Sequence, residues 1–277
     1  MKNWLAYLAH ASEILTCRRE TAQWSPITLA YLGVRPLRYP YELRLRAGQQ
    51  ITLWERTDVT VFWLVFARRH YPVHPTDRVI IDLGANIGMF TLYAAREAPQ
   101  SRIVAIEPFP DTCWRLRSLV ERNRLQDRVT VLDYAVAASS ATGRMDNAAE
   151  VPSQYRRIYS EATKTLNFNH RNRVKQAEDG VVVKTETLDK VLDCAHVHTG
   201  DLVKLNIHGS EYEVLMSAPP AVLKRCKKIA VQYHEMPADR HLGKRELFEY
   251  LAGNGFELVS DRDTRRGSGL ALFARIA

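Results

Sequence analysis

The chain has 277 residues, of which 46% are hydrophobic and 25% are charged, and its formal net charge at pH 7 is +8. This composition is typical of a soluble globular domain. No apolar run reaches the roughly 18–20 residues that a membrane-spanning helix needs, so no transmembrane segment is expected. The cysteines show neither metal-ligand spacing nor a disulfide framework, which favours a reducing, cytoplasmic location; they are Cys17, Cys113, Cys194 and Cys226.

Positive charge is spread along the chain in small clusters such as Arg68-Arg69 and Lys227-Lys228. A long basic run and the aromatic-basic motif of an RNA-binding module are both missing from the sequence, so nucleic acid is a weak candidate partner. The charge fits either a solvated basic surface or an acidic acceptor, such as a phosphorylated sugar or a nucleotide-linked glycan.

Residues 1–76 are expected to form a small α+β extension to the main domain. Its predicted elements are an amphipathic helix over 1–15, a hairpin of strands 41–47 and 50–56 around Gly48, and a helix over 57–71 with Thr57 as its N-cap. The first helix is interrupted by polar residues and is not a signal peptide by this pattern. Its apolar face would suit a homodimer.

The most informative stretch is VIIDLGANIG, residues 79–88. Its apolar run predicts a buried parallel strand, and the glycines predict a sharp turn into a helix. A dinucleotide fingerprint has the spacing GxGxxG, whereas here an acid precedes two glycines four residues apart. The acid would repel a pyrophosphate but suits a cationic amino-acid ligand such as S-adenosylmethionine. The alternative is that the glycines serve packing alone. Candidate cofactor residues in this turn are Asp82, Gly84, Ala85, Asn86 and Gly88.

A second apolar strand, RIVAIEPF, ends in Glu107, 25 positions after Asp82. In a doubly wound fold, an acid at the end of the second strand accepts hydrogen bonds from ribose hydroxyls. Glu107 is therefore a candidate to hold an adenosyl group, or else an ordinary solvated acid. Pro108 and Phe109 follow it, and Phe109 and Tyr134 are candidates to flank the adenine.

Residues 77–277 alternate strands with helices, which predicts a mostly parallel sheet with helices on both faces. Strands are predicted at 79–83, 102–107, 128–137, 201–207 and 227–235, and helices at 89–98, 110–124, 210–217 and 241–253. Two last strands around Gly267-Ser268-Gly269 are expected to close the sheet as an antiparallel hairpin. The polar segment 138–180 interrupts this rhythm and is expected to form a substrate lid.

A third candidate site lies in VKLNIHGSEYEVL, residues 203–215. Its strand is expected beside the first one, which would bring Asn206 to the methionine end of the cofactor. His208 and His234 follow two strand ends, and a histidine suits a general base that deprotonates an alcohol or phenol. Glu211 is a candidate to orient one of them. Structural histidines and a His-His-Glu metal site are the alternatives.

These segments together resemble the FkbM family of S-adenosylmethionine-dependent methyltransferases over roughly residues 50–275. The matching stretches are IDLGANIGMFTLYAA, VAIEPFPDTCWRLRSLVERN, LVKLNIHGSEYEVL, ERTDVTVFWLVF, the LD of TETLDKVL, and VQYH. The resemblance implies an α/β, Rossmann-like class I methyltransferase fold with a seven-stranded, mostly parallel sheet. It also implies O-methylation of hydroxyls on sugars or secondary metabolites. The cofactor positions of the family fall on Asp82, Gly84, Asn86, Gly88 and Glu107.

The chain departs from the family pattern at three acids. The family usually has K-x-D-x-E-G-x-E, where Asn206 and His208 stand here, and Gln232 also occupies a position where an acid is common. This loss weakens the case for a hard divalent metal, which prefers oxygen ligands, so no metal site is expected. Catalysis would then rest on His208, on His234, or mostly on positioning.

The sequence therefore predicts a cytoplasmic O-methyltransferase that uses S-adenosylmethionine and acts on a hydroxyl of a sugar, glycan or secondary metabolite. The positive charge suggests an RNA methyltransferase as one alternative, which steeply salt-dependent RNA binding would support. The lost acids suggest a non-catalytic cofactor- or glycan-binding homologue as another, which would bind without turnover.

Overall fold

The computed structural model describes residues 10–145, 158–159, 181–234, 243–264 and 268–276. The first nine residues of the predicted N-terminal helix and most of the predicted lid at 138–180 lie outside the described residues. None of the described helices has the combination of length and apolarity that crossing a bilayer requires.

The N-terminal region combines helices with a β-hairpin. Its elements are α1 (Ala11–Glu20), α2 (Trp24–Tyr31), β1 (Tyr41–Arg44), β2 (Gln50–Leu53), α3 (Arg56–Phe62) and a π-helical turn (Trp63–Ala67). Strands β1 and β2 pair antiparallel, and Gly48 between them has a φ of 95°, which only glycine adopts readily. The predicted hairpin is confirmed.

The cap of α3 differs from the prediction, because the N-cap is Glu55 and not Thr57. The Asp58 carboxylate accepts the backbone N–H of Glu55 at 3.1 Å, and the Glu55 side chain accepts the backbone N–H of Asp58 in return. This capping box satisfies the free N–H groups that Thr57 was expected to satisfy. The Thr57 hydroxyl instead donates to Glu55 at 2.7 Å.

The remaining strands form two sheets. They are β3 (Val79–Leu83), β4 (Arg102–Ile106), β5 (Val129–Leu132), β6 (Ala135–Val136), β7 (Ala141–Met145), β8 (Ile158–Tyr159), β9 (Val181–Glu186), β10 (Leu202–Leu205), β11 (Lys228–Tyr233), β12 (Phe256–Thr264) and β13 (Ser268–Arg275). The main sheet has seven strands in the order β12-β13-β11-β10-β3-β4-β5. Five neighbouring strands, β11, β10, β3, β4 and β5, run parallel. At the other edge, β12 and β13 form an antiparallel hairpin, and β13 pairs antiparallel with β11. The predicted sheet is confirmed.

The second sheet, in the order β6-β9-β7-β8, was not predicted. The chain segment 128–137 was expected to be one strand, but it divides into β5 in the main sheet and β6, which pairs with β9. A two-residue strand carries no periodicity that a sequence pattern could reveal.

Helices follow the strands as expected. They are α4 (Met89–Glu97), α5 (Pro110–Arg122), α6 (Leu188–Cys194), α7 (Glu211–Ser217), α8 (Pro220–Leu223) and α9 (Lys244–Gly253). Four of them coincide with predicted helices to within three residues at each end, while α6 and α8 were not predicted. Both are short, with seven and four residues.

Apolar side chains cover both faces of the main sheet. Successive strand residues point to opposite faces, so Ile80 and Ile81 enter different cores. The first core joins one face to α4, α5 and the N-terminal region, including Phe62 and Trp63. The second joins the other face to α6, α7 and α9. Because the N-terminal region shares a continuous core with the sheet, it braces the sheet directly; a domain boundary at residue 76 stays a prediction.

A buried ion pair joins β3 to β10 beneath the turn that follows β3. The Lys204 ammonium lies 2.7 Å from Asp82 Oδ1, and it also donates to the carbonyl oxygens of Leu83 and Gly84 at 3.3 and 2.7 Å. The other carboxylate oxygen of Asp82 accepts the hydroxyl of Thr91 on α4 at 2.7 Å. Asp82 and Lys204 are 0% and 3% exposed. Each charge therefore depends on the other, since an unpaired buried charge is strongly destabilising.

The turn after β3 packs so closely against the end of β10 that only glycine fits at position 84. Gly84 has a φ of 75°, and a Cβ there would lie 2.2 Å from the carbonyl oxygen of Asn206. Gly88, with a φ of 93°, packs against α5, where a Cβ would lie 2.7 Å from Leu116 Cδ1. Both glycines therefore have a packing role in addition to any role in ligand binding.

Replacing Lys204 with methionine removes the ammonium and keeps most of the aliphatic stem. We expect Lys204→Met to lower the free energy of unfolding by about 3–5 kcal/mol, because Asp82 is left buried and unpaired. Lys227→Met is the matched control: its ammonium also lies 2.7 Å from an acid, Asp201, but the side chain is 56% exposed. That variant should lose less than about 1 kcal/mol in urea unfolding. Equal losses would contradict the importance of the buried pair.

Alanine at position 84 should combine backbone strain with a steric clash. Gly48→Ala supplies the comparison, because Gly48 also has a positive φ but a Cβ there meets nothing within 4 Å. We expect Gly84→Ala to cost about 1–3 kcal/mol more than Gly48→Ala, as overpacking does in a dense region. Thermal unfolding of the two variants measures the difference. A Gly84→Ala protein as stable as Gly48→Ala would show that the turn can move away from β10.

Candidate active site

The carboxyl ends of β3, β4, β10 and β11 lie side by side in the main sheet. Most of the predicted site residues follow these four strands, and the parallel register brings them to one edge. In open α/β sheets this edge is where ligands bind. The turn after β3 is anchored to its neighbour, because the N–H groups of Gly84 and Ala85 both donate to the carbonyl oxygen of Ile106, at 3.1 and 2.9 Å.

Asp82 lies beneath this turn and not at its surface. Its carboxylate is fully buried and is held by Lys204 and Thr91. The acid therefore shapes the turn from below, and any influence on the methionine end of a cofactor is indirect.

Glu107 follows β4 and lies against the same turn. Its carboxylate oxygens accept the backbone N–H groups of Asn86 at 2.9 Å and Phe109 at 3.2 Å. Burial raises the pKa of Glu107 to about 7, against the opposing effects of these two N–H groups and of the Lys204 ammonium. A carboxylate has about four acceptor positions, so two remain for hydroxyl donors of a ligand.

Phe109 and Tyr134, which were predicted to flank the adenine, lie in different parts of the fold. Phe109 is buried and forms the N-cap of α5, next to the half-buried Pro108. Tyr134 follows β5 and packs in the second core, on the face of the sheet that α6 and α7 cover. Its hydroxyl is buried and has no hydrogen-bond partner among the described residues. Contact of Phe109 and Tyr134 with adenine stays a prediction.

Asn206 ends β10 beside the glycine turn, where its N–H donates to the carbonyl oxygen of Leu83 at 3.1 Å. Its side-chain oxygen Oδ1 is buried and accepts no hydrogen bond from any described residue. A buried polar atom without a partner calls for a ligand or an ordered water. Together, Glu107 and Asn206 fit a ligand with hydroxyl donors at one end and an ammonium at the other, as S-adenosylmethionine has.

His208 and His234 lie next to each other beyond β10 and β11. Their ring centroids are 5.3 Å apart and the rings are inclined by 54°. The backbone of His208 adopts a φ of 54°, an uncommon left-handed conformation for a residue other than glycine. Such backbone outliers concentrate at functional sites, provided that the surroundings hold them in place.

Glu211, at the start of α7, holds both histidines in place. Its carboxylate accepts the N–H groups of Ile207 at 2.8 Å and Gly209 at 2.6 Å, which fixes the backbone on either side of His208. Its Oε1 also lies 3.2 Å from His234 Nδ1, an ion-pair distance without the alignment of a hydrogen bond. Burial acts to raise the pKa of Glu211, but His234 and then His208 outweigh it, so the pKa lies below its ordinary value.

Two site residues were missed by sequence reasoning. Lys204 belongs to the quoted K-x-N motif, and its partner Asp82 would have been found by asking which acid lies opposite it in the adjacent strand. Tyr71 comes from the N-terminal region, and its hydroxyl donates to Gln232 on β11 at 2.8 Å. Burial and then the charge of Asp82 raise the pKa of Tyr71, and the neighbouring Asn206 only partly offsets them. Tyr71 therefore remains a protonated donor.

Metal ligands do not converge at this edge in the part of the chain that the structure describes. Within those ranges, no group of three or more His, Cys, Asp or Glu side chains could hold a metal ion.

Residues 82–258, more than half of the chain, match the family model described as Methyltransferase FkbM domain. The chain is 27% identical over 216 residues to the 31-O-demethyl-FK506 methyltransferase FkbM of Streptomyces tacrolimicus, covering 72% of this chain and 79% of that protein. It is 27% identical over 212 residues to Methyltransferase sdnD of Sordaria araneosa, covering 68% of this chain and 77% of that protein.

The chain is also 28% identical over 217 residues to the AMB antimetabolite synthetase AmbE of Pseudomonas aeruginosa, covering 69% of this chain but only 10% of that far longer protein. Among solved structures, it shares its fold with a methyltransferase FkbM from Methylobacillus flagellatus, with a TM-score of 0.50 and 14% identity. That likeness covers 98% of this chain and 60% of that chain. The chain therefore belongs to the FkbM family of S-adenosylmethionine-dependent methyltransferases, as its motifs predicted.

Proposed function

We propose that this protein transfers a methyl group to a hydroxyl oxygen of a sugar, a glycan or a secondary metabolite. The observation that carries this proposal is the arrangement of His208 and His234 around the buried carboxylate of Glu211, at the strand end next to the glycine turn. The name of the Streptomyces tacrolimicus relative, 31-O-demethyl-FK506 methyltransferase, describes transfer to oxygen and supports the same chemistry here.

The cofactor half of the site is formed by the ends of β3, β4 and β10. Glu107 would accept the ribose hydroxyls, and Asn206 would accept the ammonium of the methionine end through its unpaired Oδ1. The backbone of Ala85 and Asn86 would line the cofactor, with Pro108, Phe109 and Tyr134 towards the adenine. When bound, S-adenosylmethionine supplies an electrophilic methyl group on a sulfonium, ready for in-line attack.

The acceptor half is formed by the ends of β10 and β11. A hydroxyl becomes a better nucleophile when its proton leaves as the new bond to carbon forms, and an imidazole within hydrogen-bond reach can take that proton. His234 lies against the Glu211 carboxylate, whose negative charge stabilises the imidazolium that results. His208 stands beside it and would contact the acceptor oxygen. Glu211 acts through both histidines and is a positioning residue.

The amides at Asn206 and Gln232 agree with a mechanism in which a histidine, and not a metal-bound group, is the base. They stand where acids are common in the family, so two of the carboxylate groups that a hard divalent cation would prefer are missing from this edge of the sheet. Tyr71 donates a hydrogen bond to the amide oxygen of Gln232, and this bond holds the neutral amide in place. The proposed base is therefore an imidazole.

Binding of S-adenosylhomocysteine tests the cofactor half without needing an acceptor. We expect Glu107→Gln to weaken binding at least about tenfold in calorimetry, since hydrogen bonds to a charged group contribute about 1.5–3 kcal/mol. Glu121→Gln changes an exposed acid on α5, the helix that follows Glu107; it is the matched control and should bind as wild type does. Binding that survives Glu107→Gln unchanged would remove Glu107 from the cofactor site, and no binding by wild type would count against the whole proposal.

Cofactor binding should also depend on pH through Glu107. Its pKa is raised to about 7, so the carboxylate that accepts the ribose hydroxyls is ionised above that pH and protonated below it. Affinity for S-adenosylhomocysteine should therefore be highest above about pH 8 and fall as the pH is lowered through 7, by up to about tenfold per unit. Glu107→Gln should flatten this dependence. A profile that is equally steep in the variant would assign the titration to another group.

Catalysis tests the acceptor half. With transfer of labelled methyl to a panel of monosaccharides, sugar phosphates and phenols, we expect His208→Ala and His234→Ala to lower kcat by about 10²–10⁴. Affinity for S-adenosylhomocysteine should change much less. His74→Ala, an exposed histidine whose ring contacts Thr76, is the control for a histidine change elsewhere. Equal losses of turnover and cofactor affinity would argue against a base, and turnover on RNA alone would replace the small-acceptor proposal.

A further inference from the structure

A cleft of about 440 Å³ is lined by residues that lie outside the candidate active site. It is formed by α1, by the residues after the π-helical turn and by β12. Three arginines line it, Arg68, Arg69 and Arg262, together with the hydroxyl groups of Ser12 and Thr16. The functions assigned to the strand ends do not use any of these side chains.

The positive charge in this cleft exceeds its compensation by acids. Glu13 is the one acid among the described lining residues, and it is engaged by Arg68 at 2.8 Å. Arg69 reaches Glu20 only at 3.4 Å, and Arg96 already holds that acid at 2.5 Å. The Arg262 side chain, on a strand whose backbone pairs with β13, makes no hydrogen bond or ion pair with any described residue. The cleft therefore presents guanidinium N–H groups that are available to a ligand.

The positive charge of these arginines affects the pKa of His70, which lines the same cleft. Burial, and then the charges of Arg262 and Arg68, lower the pKa of His70 to about 4. The ring is therefore neutral at physiological pH and offers a hydrogen bond without adding charge. The net attraction of the cleft for an anion comes from the arginines.

The cleft is linked to β11, the strand that ends at His234, both along the chain and across the sheet. Along the chain, His70 is followed by Tyr71, whose hydroxyl binds Gln232 on β11. Across the sheet, Gln232 pairs with Leu270, and Leu270 pairs with Arg262. Neighbouring strands lie about 4.8 Å apart, so Arg262 is roughly 10 Å from Gln232, itself two residues before His234. One acceptor of moderate size would span both places.

We propose that this cleft binds a phosphate group of the methyl acceptor whose hydroxyl is methylated beyond the ends of β10 and β11. This inference rests on the proposed function, because it names the class of acceptor for the same site. Planar guanidinium groups can bind two phosphate oxygens at once, and the Ser12 hydroxyl adds a neutral donor, whereas the Thr16 hydroxyl donates to the Ser12 carbonyl at 3.0 Å. A phosphorylated sugar and a nucleotide-linked sugar both present this chemistry.

Calorimetric titration with inorganic phosphate at low ionic strength tests the cleft without cofactor or turnover. We expect Arg262→Gln and Arg69→Gln each to weaken phosphate binding about tenfold, as loss of a charged hydrogen-bond donor does. Arg68 is left unchanged, because it also bonds Tyr31 and Glu13. Arg275→Gln is the matched control: it is an exposed arginine at the opposite end of the hairpin and should leave binding unchanged. Equal weakening in all three variants, or none, would overturn the proposal.

Glucose 6-phosphate and uridine diphosphate glucose then distinguish the two sources of phosphate. Tighter binding of the first than of inorganic phosphate supports a phosphorylated sugar, and tighter binding of the second supports a nucleotide-linked one. If neither ester improves on inorganic phosphate, the cleft holds an adventitious ion only and the proposal fails. Acetate that binds as tightly as phosphate would also overturn it.

S-adenosylhomocysteine, titrated into the same samples, separates this inference from the proposed function. Intact cofactor binding in Arg69→Gln and Arg262→Gln shows that both variants are folded, so that loss of phosphate binding is local to the cleft. Cofactor binding with no phosphate binding by wild type rejects the cleft alone. Phosphate binding that depends on Arg262, without cofactor binding by wild type, counts against the proposed function and not against the phosphate site.

Discussion

The ion pair between Asp82 and Lys204 fixes the relative position of β3 and β10, and the geometry of the site depends on it. Lys204 also binds the carbonyl oxygens of Leu83 and Gly84, so the turn after β3 is tied to the neighbouring strand. Asn206 and His208 follow Lys204 by two and four residues. A shift between these strands would therefore move the turn relative to the groups that are proposed to face the methyl donor and the acceptor.

Two further buried carboxylates divide the edge into halves with different electrostatics. Glu107 has a raised pKa and faces the turn, where it is proposed to accept hydroxyl groups. Glu211 has a lowered pKa and stays ionised beside His234. Neutral amides stand at Asn206, which follows β10, and at Gln232 on β11. The basic cleft around Arg262, which is proposed to bind a phosphate group of the acceptor, includes a residue of the β-hairpin.

Much of the fold was predictable because its signals are local. Apolar runs marked the five parallel strands of the main sheet, and the Gly267-Ser268-Gly269 turn marked its hairpin. The glycine spacing after Asp82 and the acid at Glu107 identified the family that the comparisons confirm. The sequence could not reveal contacts that join distant segments. Tyr71 and Gln232 are 161 positions apart, and the pairing of Lys204 with Asp82 requires the register of two strands that are far apart in sequence. Short strands such as β6 carry no pattern of their own, and Glu55 displaced Thr57 as a cap because its partner Asp58 satisfied the backbone.

A single site formed by β3, β4, β10 and β11 is tested most directly by nuclear magnetic resonance. The measurement follows the chemical shifts of the histidine rings during titration with S-adenosylhomocysteine. Assignment by His208→Ala and His234→Ala would identify the two rings, and His10 and His74 serve as internal references on other surfaces. A shared site predicts that His208 and His234 resonances shift together with one dissociation constant, while His10 and His74 stay in place. Saturable binding that leaves His208 and His234 unshifted would contradict it.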